Sequence, residues 1–190
     1  MIFLCFSSGD RYSVVKSCLY HLKNYGYETW YDYHELILGD KKQEKNFEKA
    51  IQTCDYFIII YSNNLLNSPC AINEESLIFD ETSKRDITIF PLLYNLKFDE
   101  LPHEIQNRIE NLIYNEITDA TGCIEPVNQI IVKMLLEEMG YNEFDFTPSI
   151  NYSLTQKIND AFLKSILLEY LNIAKENFNS RISFLYCIYK

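Results

Sequence analysis

The chain has 190 residues, 47% of them hydrophobic, with 15 Tyr, 12 Phe and a formal charge of −10. That length and apolar content suit one domain with a sizeable core plus a short appendage, and exclude a disordered chain. The acidic balance argues against nucleic acid and anionic membrane as main partners, because both reward clustered Lys and Arg.

In chain order, Ile2 to Phe6 reads as a short buried strand, cut off by Ser7-Ser8-Gly9-Asp10. The same break makes the apolar start too short for a secretory signal. Val14, Val15, Cys18, Leu19 and Leu22 recur at helical spacing, so a helix is expected from Asp10 to about Tyr25, ended near Gly26. Tyr27 to Tyr33 is the next strand, Leu36 to Gln43 a polar loop, and Phe47, Ala50 and Ile51 give a short helix. Tyr56 to Tyr61 is almost wholly apolar, as expected of a central strand covered on both faces.

Ser68-Pro69 is a helix start, with Ser as N-cap and Pro at the first helical position; Ile72, Leu77 and Ile78 are its expected inward face. Ile87 to Leu93 is a fourth strand, Leu101 to Ile113 a shorter helical or irregular segment, and Val127 to Met139 an amphipathic helix closed by Gly140. Strand and helix alternate throughout. The expected fold class is therefore α/β, a parallel sheet with helices on both faces.

The pattern changes after Gly140. Residues 1–140 read as one domain, and 141–190 as a linker and C-terminal helical extension. Asn142 to Ile150 is the linker, and Ser153 with Gln156 three residues on resembles a capping box. From Leu154 to Phe178 apolar positions cover more than one helix face, which must be buried on the domain itself or against another chain. No apolar run approaches the roughly 18–20 residues of a membrane span. Six scattered cysteines without CxxC spacing read as buried thiols of a cytoplasmic protein, and the three isolated His residues give no metal site.

Three landmarks stand in fixed order between Trp30 and Glu74: Trp30-Tyr31-Asp32 with Glu35-Leu36 and Gly39-Asp40; the apolar strand ending in Tyr61-Ser62; and Ser68-Pro69-Cys70 with Glu74. A parallel sheet gathers the loops after its strands into one crevice. Glu74, in the second turn of its helix, lies past the reach of the helix dipole, so capping explains it poorly. Glu75 reads as its surface counterpart.

These residues resemble a Toll/interleukin-1 receptor (TIR) domain of the bacterial type over roughly residues 1 to 139. Ile2 to Arg11 is similar to the family's opening strand and Ser-x-Ser-x-x-Asp loop, and Trp30 to Asp40 to its second strand and the following BB loop. Ser62 is similar to the Ser ending its third strand. The family's Trp-x-x-x-Glu helix places its catalytic carboxylate on Glu74, with Cys70 where the Trp would stand.

The resemblance implies a flavodoxin-like TIR fold and cleavage of the nicotinamide–ribose bond of NAD+, which is substrate and not cofactor. It implies Glu74 as the catalytic group and Phe6, Ser7, Ser8, Arg11, Trp30, Asp32, Leu36, Gly39, Asp40, Ser62 and Cys70 as substrate-binding positions. Proteins it resembles act in anti-phage (Thoeris-like) defence, so self-association through TIR domains and a separate effector that reads a nucleotide product are the implied partners.

Several positions keep two readings. Trp30 stacks on ligand or fills the core. Phe6, Ser7, Ser8 and Arg11 meet a pyrophosphate, or Ser8 and Asp10 cap a helix beside a solvated Arg. Asp32 and Glu35 touch ligand or brace their own loop, and Ser62 contacts ligand or caps the next turn. The rival functions are a non-enzymatic TIR–TIR interaction module and a nucleoside deoxyribosyltransferase-like enzyme.

Overall fold

The computed structural model describes residues 1–30, 50–138, 147–156, 158, 160–174, 176–177, 180–181 and 184–185. The expected Leu36–Gln43 loop and Phe47 lie outside these residues, while Ala50 and Ile51 of the short helix after it are helical and buried. The chain divides into two compact units, Met1–Val127 and Asn128–Lys190.

The first unit carries five parallel strands: β1 (Ile2–Cys5), β2 (Thr29–Trp30), β3 (Tyr56–Tyr61), β4 (Thr88–Tyr94) and β5 (Asn115–Ile117). They lie in the order β2-β1-β3-β4-β5. This is the flavodoxin-like order, α/β as expected. β1 is buried at every position and β3 at all but its first, which is what unbroken apolar runs require when both faces are covered. From β1 the chain goes to one side to make β2, then to the other to make β3. The carboxyl ends of β1 and β3 therefore flank the point where strand order reverses, the place where open α/β sheets bind ligands.

β5 was not expected from the sequence. It is three residues long, Asn-Glu-Ile, and only Ile117 is buried, so it has no apolar run to betray it. Pro91 sits inside β4, but β5 pairs with β4 only from Leu92 onward. The proline thus falls on a stretch of β4 that β5 does not line, where a missing N–H is tolerated.

The helical segment after β1 is expected in place but not in kind: a 3-10 turn (Ser8–Asp10) and a π turn (Arg11–Val15) lead into α1 (Lys16–Asn24). Gly26 ends it at φ 79°, its amide donating to the Lys23 carbonyl at 2.9 Å. After β3 come α2 (Asn63–Leu66), a short helix the sequence reading lacked, and α3 (Pro69–Thr82). Ser68 caps α3 as expected, its hydroxyl accepting from the Ala71 amide at 3.4 Å, with Pro69 in the first turn. The buried stripe of α3 is Ala71, Glu74, Glu75 and Ile78, the i, i+3, i+4, i+7 spacing of one helix face. The expected inward face needs correction: of Ile72, Leu77 and Ile78 only Ile78 is fully buried, and the other two flank the stripe half-buried. α4 (His103–Ile109) fills part of the expected 101–113 segment.

α5 (Ile124–Glu138) straddles the division between the units. In the second unit, α6 (Thr147–Thr155) begins inside the span expected to be linker. Ser153 lies near the end of α6 and not at a helix start, so the expected capping box is corrected. The helix start is instead at α7 (Ala161–Asn172), where Asp160 accepts from the Phe162 and Leu163 amides at 2.8 and 3.0 Å. α7 buries Tyr170, under the Arg181 guanidinium, and exposes Phe162, Leu163 and Leu168. Among the described residues no helix is long and apolar enough to cross a membrane.

Candidate active site

The switch point is built by side chains from both of its strands. β1 ends at Cys5, and the loop that follows buries Phe6, Ser7 and Asp10. Asp10 is 1% exposed, and its carboxylate accepts from the Ser62 hydroxyl at 2.5 Å and the Asn64 amide at 2.7 Å. Ser62, immediately after β3, also accepts from the Leu65 amide at 3.0 Å and so caps α2. Gly9 keeps this contact close, since a Cβ there would stand 2.9 Å from two Asn64 side-chain atoms. Asp10 makes no side-chain cap at the turn it precedes. Its capping reading is therefore replaced: Asp10 ties the β1 loop to the end of β3.

Ser8 lies exposed in the 3-10 turn, and its carbonyl accepts the Arg11 amide. Arg11 itself is half-buried. Asp32, Glu35, Leu36, Gly39 and Asp40 lie outside the described residues. Trp30 is 6% exposed and stacked on Phe3, ring centroids 5.1 Å apart and planes 18° from parallel. Of its two readings, the core one describes this packing.

α3 brings the carboxylates. The Cys5 thiol donates to the Ala71 carbonyl at 3.8 Å, pinning the first turn of α3 to the end of β1. One turn on, Glu74 is 8% exposed, and its Oε1 accepts from the exposed Cys70 thiol at 3.7 Å. Glu74 therefore does not point into bulk water.

Glu75 corrects the sequence reading most clearly. Expected at the surface, it is 0% exposed and held from two elements. The Tyr61 hydroxyl donates to its Oε1 at 2.8 Å, and the Arg108 guanidinium donates to its Oε2. Arg108, on α4, is braced in turn by Glu104 at 2.7 Å. Burial raises the pKa of Glu75, against the lowering effect of Tyr61 and Arg108. Burial also raises that of Tyr61, and the Glu75 charge adds to it. Tyr61, Asn64, Glu75 and Arg108 were missed. The signal for Glu75 was its place on the i, i+3, i+4, i+7 stripe, and for Arg108 the i, i+4 pairing with Glu104.

The sequence pattern of the TIR domain family matches residues 2–123, the span that holds this whole arrangement. The chain belongs to the TIR domain family. Two curated TIR relatives are similar to it. One is the probable 2′ cyclic ADP-D-ribose synthase TcpO of Methanobrevibacter olleyae, 28% identical over 100 residues, covering 53% of this chain and 29% of that protein. The other is the 2′ cyclic ADP-D-ribose synthase BtTIR of Bacteroides thetaiotaomicron, 25% identical over 99 residues, covering 52% of this chain and 34% of that protein. The match thus spans about a third of the length of each relative. The crystal structure of the TIR domain of the Toll-related receptor TRR-2 from Hydra magnipapillata shares the fold, with TM-score 0.52, 17% identity, and coverage of 72% of this chain and 95% of that one.

Proposed function

We propose that this TIR chain cleaves the nicotinamide–ribose bond of NAD+, releasing nicotinamide and an ADP-ribose-derived product that is either open or cyclised. The observation that carries the reading is Glu74: a carboxylate withdrawn from bulk water, on the helix that Cys5 fastens to the end of β1, beside the switch point. The two relatives are named for making 2′ cyclic ADP-D-ribose, a product of the class proposed here, which supports the reading.

The chemistry asks for one carboxylate. As the C1′–N bond breaks, its electron pair goes to the pyridinium nitrogen, so nicotinamide departs neutral and needs no general acid. The ribose is left oxocarbenium-like, and Glu74 beside it stabilises the positive charge that grows in the transition state. Water then adds to C1′ and loses a proton to give ADP-ribose. A hydroxyl of the same molecule doing so gives a cyclic product. Phe6, Ser7, Ser8 and Arg11 at the end of β1 would face the pyrophosphate, and Cys70 would sit against Glu74 where the family pattern has Trp.

In this reading the protein acts in the cytoplasm as a signal producer in anti-phage defence. It self-associates through its TIR domains, and a separate effector protein reads the nucleotide product. Incubating the purified chain with NAD+ under crowding conditions and following nicotinamide release by chromatography tests it. Release lost in Glu74→Gln with the fold intact supports it. Absence of release in the wild type favours the interaction module, and turnover of deoxynucleosides alone favours the deoxyribosyltransferase.

A further inference from the structure

α3 packs on the core through Ala71, Ile78 and the half-buried Ile72, Leu77 and Phe79, but two carboxylates interrupt its buried stripe. Of its buried stripe only Ile78 is a large apolar side chain; Ala71 is small and the other two positions are carboxylates. A buried carboxylate opposes burial unless it is paired and hydrogen-bonded. Glu75 is both. Its two oxygens are taken by different elements, Tyr61 at the end of β3 and Arg108 on α4, and Arg108 is itself held by Glu104 and by Ser76 at 3.5 Å. Directional bonds on both oxygens fix the rotation of α3 about its axis more tightly than its apolar contacts do, because apolar packing is non-directional.

Glu74 precedes Glu75 and is turned about 100° from it around the helix. Whatever fixes Glu75 therefore fixes the direction of Glu74. The end of β3 joins this to the rest of the site, because Tyr61 reaches Glu75 while the next residue, Ser62, reaches Asp10 in the β1 loop. We propose that Glu75 and Arg108 are positioning residues for Glu74, a partly buried ion pair that aims the catalytic carboxylate without touching substrate. The inference rests on the NAD+-cleaving reading of Glu74, and its test separates the two.

The full chain is compared with Glu75→Gln, Arg108→Met and the double variant, with circular dichroism giving the folded fraction of each. Steady-state nicotinamide release is normalised to folded protein. Each single variant should lower kcat by about tenfold to a hundredfold at unchanged KM for NAD+, the scale on which small misplacements act. The double variant should be no worse than the poorer single one, as for residues that work as a unit.

A second readout needs no activity: alkylation of Cys70 by iodoacetamide, followed by peptide mass spectrometry, because its sulfur lies against Glu74. That rate should change severalfold in both single variants. Wild-type kcat per folded molecule together with wild-type Cys70 alkylation would overturn the inference and leave the NAD+ reading standing. A raised KM at wild-type kcat would overturn it too. Altered alkylation in a chain whose wild type releases no nicotinamide would uphold the positioning role and refute the NAD+ reading.

Discussion

Glu74 and Glu75 are consecutive, and both are buried on the same face of α3, yet they are held by different groups. Glu74 takes a thiol from Cys70, while Glu75 takes the Tyr61 hydroxyl and the Arg108 guanidinium. One carboxylate is clamped on both oxygens by the scaffold, and the other lies beside an exposed thiol at the head of its helix. Structure and proposed chemistry are thereby divided between neighbours.

The clamp has a stability signature. Arg108→Met leaves a buried carboxylate without its cation, which costs about 3–5 kcal/mol. The guanidinium side chain is 24% exposed, so water softens the loss and the low end applies. Urea denaturation should show a lower midpoint at unchanged slope. Adding Glu75→Gln to that variant should recover part of the loss, because the stranded charge is then gone.

Glu75 also fixes a pH dependence. Its pKa is raised in the folded chain, with burial as the main cause, so the folded state holds this proton more tightly than the unfolded state does. The stability from this group is fully present below the ordinary carboxylate pKa and is lost as pH rises through the raised one. Glu75→Gln should flatten the stability profile on the rising side of the carboxylate range, measured as thermal midpoint against pH.

Tyr61 contributes to the alkaline loss of stability by the same logic. Burial and the Glu75 charge raise its pKa, while an unfolded Tyr titrates near its ordinary value of 10.0. Above about pH 10 the unfolded chain loses this proton first, and stability falls as pH rises. Tyr61→Phe should shrink that alkaline slope. At neutral pH it should cost about 1–2 kcal/mol for the lost bond to a buried carboxylate.

At the switch point, Asp10→Ala removes an acceptor serving both Ser62 and Asn64 and should cost about 3 kcal/mol. Gly9→Ala is the subtler probe. Its Cβ meets the Asn64 amide group, which can swing away, and the Asn64 Cβ at 3.3 Å, which must give slightly, so the expected cost is at least the Asn64–Asp10 bond, about 1 kcal/mol. A Gly9→Ala loss equal to that of Asp10→Ala would mean that the backbone had moved as well.

Much of this was legible in the sequence because each feature had a local cause. The run Tyr56–Tyr61 announces a central strand by composition alone, and Ser68-Pro69 announces a helix start by capping chemistry. β5 was hidden because three residues with a central Glu carry no periodicity. The Ser153 reading failed because a box-like spacing fits many serines, while Asp160 made the bonds that start a helix. Glu75 was misread for a deeper reason: its partners lie 14 and 33 residues away, on β3 and α4, and only the packed fold brings them together.

The most direct measurement is nicotinamide release from NAD+ by the wild type and Glu74→Gln, with matched circular dichroism spectra. The account predicts turnover by the wild type and a loss of at least about a hundredfold in the variant, the scale of removing one transition-state stabilising group. Equal turnover by the two proteins would contradict it.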